Sequence, residues 1–153
     1  MLLRIGSREF DVSTMALVVA PVDASATAAD EARRPKELGA DAVELRGEPE
    51  ARQGFDVPIL ARDATDGGAK IVTASADSLA DIASLAQAGK AVVVDVDDDP
   101  GAAGVIVGAV MAGARLIVTS EVRMARRTVT TVHELLRRRG VTSAAYAVLG
   151  SNR

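Results

Sequence analysis

The side chains best suited to chemistry are carboxylates. Asp95, Asp97, Asp98 and Asp99 fall in one short stretch, and hard oxygen ligands of this kind suit a divalent cation. The stretch lacks the full spacing of a calcium loop. Asp98 and Asp99 also stand just before a predicted helix, where negative charge is favourable without any ion, so no metal is assigned. Asp23 and Asp95 each end an apolar run and are the pair that could divide acid and base work between them. Ser75, Ser120 and the pair Arg46 and Glu48 follow apolar runs in the same way. His133 is the only histidine, with no Ser or Cys close to it in sequence, and is expected at the surface or an interface. There is no cysteine, which excludes a thiol nucleophile, a thiolate metal site and a disulfide. Asp66-Gly67-Gly68 and Gly101-Ala102-Ala103-Gly104 lack the Lys and Ser/Thr of a phosphate-binding loop.

These residues need elements to hold them. Residues 2–5 and 9–12 flank Gly6-Ser7-Arg8 and read as a β-hairpin. Residues 16–21 are continuously apolar, as a strand buried on both faces would be. Residues 24–38 are Ala-rich and helical in part; Pro35 breaks or kinks the helix and Gly39 stops it. Residues 41–46 are a second strand, 48–56 a polar loop, 58–62 a short apolar segment of undecided type, and 70–74 a strand. Residues 77–89 are a helix with Leu79, Ile82, Ala83, Leu85 and Ala86 on one stripe, capped by Ser75 or Asp77. Residues 91–96 form the most apolar strand, 102–113 a helix, and 115–119 a further strand. The last helix, 120–139, repeats Val122, Ala125, Val129, Val132, Leu135 and Leu136 at helical spacing, with Ser120 as a cap. Arg123, Arg126, Arg127, Arg137, Arg138 and Arg139 make it basic. That is either a solvated face or a surface for nucleic acid or an acidic partner.

Strands alternating with helices are the pattern of a mostly parallel sheet covered by helices, in one domain spanning residues 1–153. The net charge of −3 and the three aromatic residues, Phe10, Phe55 and Tyr146, argue against nucleic acid as a partner. No apolar run reaches the ~20 residues of a membrane helix, and a cytoplasmic location is expected.

Several of these segments, in order, resemble dihydropteroate synthase, the pterin-binding TIM-barrel family, most closely its actinobacterial forms. Residues 3–10 resemble the family's opening hairpin, and Ala16-Leu17-Val18-Val19-Ala20-Pro21-Val22-Asp23 its first barrel strand. Gly39-Ala40-Asp41-Ala42-Val43-Glu44-Leu45-Arg46-Gly47-Glu48 resembles the second strand with its loop. Gly113-Ala114-Arg115-Leu116-Ile117-Val118-Thr119-Ser120-Glu121-Val122 resembles the last strand and helix. Residues 71–96 resemble the third strand, its helix and the fourth strand more weakly, and counterparts of the fifth to seventh strands are missing.

The resemblance implies a contracted or partial TIM barrel behind an N-terminal β-hairpin, with ligands beyond the carboxyl ends of the strands. A flavodoxin-like sheet with helices on both faces is the alternative. The residues placed at those strand ends are Asp23, Arg46 with Glu48, Ser75, Asp95 and Ser120, read as a relic pocket for a pterin-like small molecule or else as ordinary helix caps. Relative to the family's pattern, Asp23 stands for a metal-binding Asn, Ala74 for a pterin-contacting Asp, and Val94-Asp95 for an Asn-Asp pair. Val118-Thr119-Ser120 stands for an Arg-x-His anion clamp, and the seventh-strand Lys has no counterpart. The expectation is a protein without dihydropteroate synthase activity and without cofactor, acting in binding or assembly. The apolar helix 102–113 and the tail segment 144–149 offer surface to cover, and a homodimer is expected with the basic last helix or the tail near the contact. A remodelled enzyme working with Asp23 and Asp95 is the alternative.

Overall fold

A computed structural model describes residues 1–25, 27–47, 54–63, 68–96 and 100–140. The antiparallel hairpin is β1 (Leu2–Ile5) and β2 (Arg8–Asp11). Then follow β3 (Leu17–Asp23), α1 (Ala28–Glu31), α2 (Arg33–Leu38), β4 (Ala42–Arg46), β5 (Ile71–Ala74), α3 (Leu79–Gln87), β6 (Ala91–Asp95), α4 (Ala102–Ala112), β7 (Leu116–Val118) and α5 (Val122–Arg138). Strands β3 to β7 form one sheet, parallel throughout, in the order β4-β3-β7-β6-β5. The last strand therefore lies against the first, as the closure of a TIM barrel requires.

Period-two alternation gives the sheet two apolar faces. Val18, Ala20 and Val22 of β3, Val92 and Val94 of β6 and Ile117 of β7 share a core with buried residues of α1, α3, α4 and α5. The alternate residues, Leu17, Val19, Ala42, Ile71, Ala91, Val93, Leu116 and Val118, face a second core. Among the described residues no helix contributes to that core. Its other members are Leu3 and Ile5 of the hairpin, Val12 and Leu60. The described helices thus all cover one face, against the flavodoxin-like alternative. The hairpin lies against the amino ends of the strands and shuts that end of the interior, so Leu3, Ile5 and Val12 are at most 2% exposed.

The undecided segment 58–62 proves to extend the sheet. Val43 donates to the Pro58 carbonyl at 2.9 Å and accepts from the Leu60 amide at 2.8 Å, a parallel bridge on the free side of β4. Five strands and this bridge wrap most of a barrel. Among the described residues the ladders leave a seam between residues 58–62 and β5.

Local details follow from familiar constraints. The first helix splits into α1 and α2 at Ala32, three residues before Pro35, and Pro35 itself sits in the first turn of α2, where its missing amide costs nothing. Gly39 ends α2 with φ of +107°, a conformation that favours glycine. Helix α5 keeps Val122, Ala125, Val129, Val132 and Leu136 buried, but Leu135 is 55% exposed and Leu79 of α3 is 41% exposed, so both fall off their expected stripes.

Two further expectations need correction. His133 is buried rather than superficial, and its Nε2 accepts the Ala16 amide at 2.9 Å. Burial, with the Arg115 guanidinium nearby, lowers its pKa from 6.5 to about 4. Arg126 does not belong to a solvated basic face either. It is half-buried, donates to the Gly39 carbonyl at 2.9 Å and pairs with Asp41, whose Oδ2 also accepts the Val18 amide. These contacts fasten α5 to the start of β4.

Candidate functional site

The carboxyl ends of the strands form the mouth opposite the hairpin. Following the inner face upward gives Val19, Pro21 and Asp23 on β3; Ala42, Glu44 and Arg46 on β4; Leu60 then Arg62; Ile71 and Thr73 on β5; and Val93 then Asp95 on β6. The apolar interior thus changes within one residue step to a charged layer made of Glu44, Arg46, Arg62, Thr73 and Asp95.

Arg62 organises that layer. Its Nε and Nη2 hold the two oxygens of Glu44 at 2.5 and 2.8 Å, while Nη1 and Nη2 hold the two oxygens of Asp95 at 2.8 and 2.6 Å. Nη1 also donates to the Thr73 hydroxyl at 3.2 Å. Arg46 adds weaker contacts from Nη2, 3.3 Å to Glu44 and 3.4 Å to Asp95. One guanidinium therefore presents two forks to two carboxylates, the geometry that makes arginine–carboxylate pairs strong and directional. The network spans the seam, joining the segment carrying Arg62 to β4 on one side and to β5 and β6 on the other. Hydrogen bonds from Arg62, with its charge and that of Arg46, hold the Asp95 carboxyl below the usual range despite partial burial. The two carboxylates raise Arg62 in turn.

Of the residues expected at this mouth, only Asp95 and Arg46 enter the network. Asp23, Ser75 and Ser120 are exposed on the rim. Asp95 is level with Val118, and Val118 with Val19, so Asp23 lies four residues farther along β3, about 13 Å in the strand direction. Glu48 lies outside the described residues, as do Asp97, Asp98 and Asp99 and the tail 141–153.

The capping expectation is corrected. The N-caps of α1, α3 and α5 are Thr27, Ser78 and Glu121, none with a side-chain cap hydrogen bond. Ser75 instead accepts the Asp77 amide at 3.2 Å in a local turn, and the hydroxyl of Thr119, not Ser120, accepts the Glu121 amide. Ser75 also lines an open groove of about 340 Å³ between β5 and α3, with Thr73, Asp81 and Ser84. Among the described residues no group of three or more His, Cys, Asp or Glu is arranged to hold a metal ion. Nor is any described helix long and apolar enough to cross a membrane.

The sequence reading missed Glu44, Arg62 and Thr73. A signal existed: Glu44 sits two residues after Ala42 on the inner register of β4, between the apolar Val43 and Leu45, and such a carboxylate needs a cation.

No family model matches the chain, and no curated protein does. Solved structures do. A dihydropteroate synthase of Yersinia pestis superposes with a TM-score of 0.66 at 15% identity, over 92% of this chain and 100% of that one. That of Thermus thermophilus, solved in complex with 4-aminobenzoate, superposes with a TM-score of 0.54 at 16% identity, over 88% and 100%. The chain has a dihydropteroate synthase-like fold. Within the sheet β3 and β7, its first and last strands in chain order, pair with each other as the first and last strands of a TIM barrel do. The dihydropteroate synthase-like barrel is contracted here, with the bridge at Ile59 and the Arg62 network standing where more strands would complete the wall.

Proposed function

We propose that the protein is a non-catalytic relative of dihydropteroate synthase that acts in the cytoplasm as a binding or assembly protein, retaining only the remnant of a pterin-type mouth. The observation that carries this reading is the engagement of Asp95. The carboxylate best placed to accept the paired donors of an amino-pyrimidinone edge already accepts a fork from Arg62. Loss of a diphosphate needs cationic stabilisation where charge develops. The position that resemblance gives to a clamp arginine is Val118, apolar and 2% exposed, and Ser120 stands in the place of its histidine. The cations described within the mouth network, Arg46 and Arg62, face carboxylates of the chain itself.

The alternative, an acid/base pair of Asp23 and Asp95, asks for two carboxylates in one cleft, one of them ready to carry a proton. The register offsets the two along the strands, and the guanidiniums favour an ionised Asp95 at neutral pH.

Purified protein supplied with p-aminobenzoate and dihydropterin diphosphate should form no product above the uncatalysed background; turnover would overturn the reading. Pterin titrated into the wild-type protein should give millimolar affinity or none, with Asp95→Ala as the control. Assembly is proposed as a homodimer that covers Leu135 and the basic face of α5. Light scattering showing a strict monomer at micromolar concentration would remove that part.

A further inference from the structure

We infer that Arg62 is a built-in ligand: its guanidinium occupies a cradle formed by Glu44, Asp95 and Thr73, and the same cradle, once vacated, takes a small molecule with a guanidine or cyclic guanidine edge. This rests on the reading of the mouth as a remnant binding site, and adds that the occupant is part of the chain.

The geometry is that of a recognition site rather than a surface ion pair. Both oxygens of each carboxylate are used, all three guanidinium nitrogens donate, and the Thr73 hydroxyl takes a further hydrogen bond. Glu44 is 7% exposed, so its charge is built into the wall, whereas the Arg62 side chain retains 26% exposure and reaches the cradle from the seam. The backbone beneath Arg62 is held independently, by the ladder bonds of residues 58–60 to Val43 and by the burial of Val57 and Leu60. Rotation of the side chain alone empties the cradle, without unfolding the segment. Within the network two carboxylates face two guanidiniums, so loss of Arg62 leaves one negative charge in excess beside a planar, fork-shaped set of acceptors. A flat cation or neutral heterocycle carrying adjacent N–H donors matches those acceptors. A lysine-like ammonium lacks the fork. The contact is therefore autoinhibitory, because a free ligand competes with a tethered one whose effective concentration is high.

The test uses Arg62→Ala in the full chain, with methylguanidinium and isocytosine as separate probes and uracil, which lacks the amino-bearing edge, as the control. Calorimetry should show Arg62→Ala binding at least one probe tenfold or more tighter than wild type, uracil not binding, and Asp95→Asn in the Arg62→Ala background removing the gain. Methylguanidinium binding alone assigns the cradle to guanidinium cations; isocytosine binding extends it to heterocycles. Should Arg62→Ala fail to fold, the charge-balanced Arg62→Ala/Glu44→Gln variant carries the same comparison through Asp95. A folded variant that binds neither probe, or binds no tighter than wild type, overturns the inference, as does binding indifferent to Asp95→Asn. A condensation assay on the wild type run in parallel keeps the outcomes apart, since turnover there defeats the non-catalytic reading while leaving the Arg62 comparison intact.

Discussion

His133, the only histidine of the chain, should make the protein lose stability in mildly acidic solution. In the folded protein the imidazole is buried at 7% exposure, and its Nε2 accepts the Ala16 amide, an arrangement that needs the neutral ring. Protonation would remove the acceptor and place a cation near Arg115. The folded pKa is lowered from 6.5 to about 4, so between these values the unfolded chain binds a proton that the folded chain refuses. The contribution is therefore complete above pH 6.5 and is lost as pH falls toward 4. At about 1.4 kcal/mol per pH unit the loss approaches about 3 kcal/mol, with about half of it gone by pH 5.5. Urea unfolding from pH 7.5 to 4.5 should show this fall in the wild type. In His133→Gln, whose amide oxygen can accept the same N–H without titrating, the slope should flatten, and the difference between the proteins cancels the carboxylates that titrate in both. The imidazole resonances report the same quantity directly. Parallel pH curves for the two proteins, or a histidine titrating near 6.5 in the native spectrum, would refute the reasoning.

Gly39→Ala should destabilise by about 1–2 kcal/mol in urea unfolding, because φ there is +107° and the new Cβ would lie 3.1 Å from Cγ of Arg126. Arg126→Ala and Asp41→Asn should each weaken the junction of α5 with β4, and a double-mutant cycle should return a coupling of about 1–3 kcal/mol; additive effects would mean the pair does not act as a unit.

The sheet was legible because its strands are apolar runs and most of the intervals between them carry a helical stripe or a helix stop. The continuity of residues 17–20 and 91–94 marks strands buried on both faces, and Gly39 and Gly113 end helices in the left-handed conformation expected of them. The pairing of the last strand with the first was not legible, because periodicity says nothing of which strands are neighbours. Residues 58–62 were not legible as wall: Pro58-Ile59-Leu60-Ala61-Arg62 is too short to show a period, and it is extended only because β4 offers a free edge. The charged layer was equally hidden, since Arg62 finds its partners 18 and 33 residues away, a tertiary pairing with no local signature. His133 lies beside the Val129, Val132 and Leu136 stripe, and what buries it is the approach of residues 16 and 115. Ser75 and Ser120 have the composition of caps, but the backbone turns after β5 and β7 place other residues at the helix starts.

On the non-catalytic reading proposed above, contraction of the barrel matters more than any single substitution. Barrel diameter grows with strand number, and eight strands already give an interior that side chains just fill. Here five paired strands and a bridge enclose a narrower space, and the inner positions include the small residues Ala42 and Ala91. Val19, Val93, Leu116 and Val118 fill the interior up to the level of Asp95, and the four residues of the charged layer that pair with one another close it above. Restoring the clamp that resemblance implies should therefore not restore the chemistry. In Val118→Arg/Ser120→His the new guanidinium would enter a position 2% exposed, level with Asp95 and in competition with Arg62. The double variant should lose stability by about 2–4 kcal/mol in urea unfolding and still form no pteroate from p-aminobenzoate and dihydropterin diphosphate. A variant that folds as stably as wild type and turns over would show that residue identity, rather than barrel size, decides the activity.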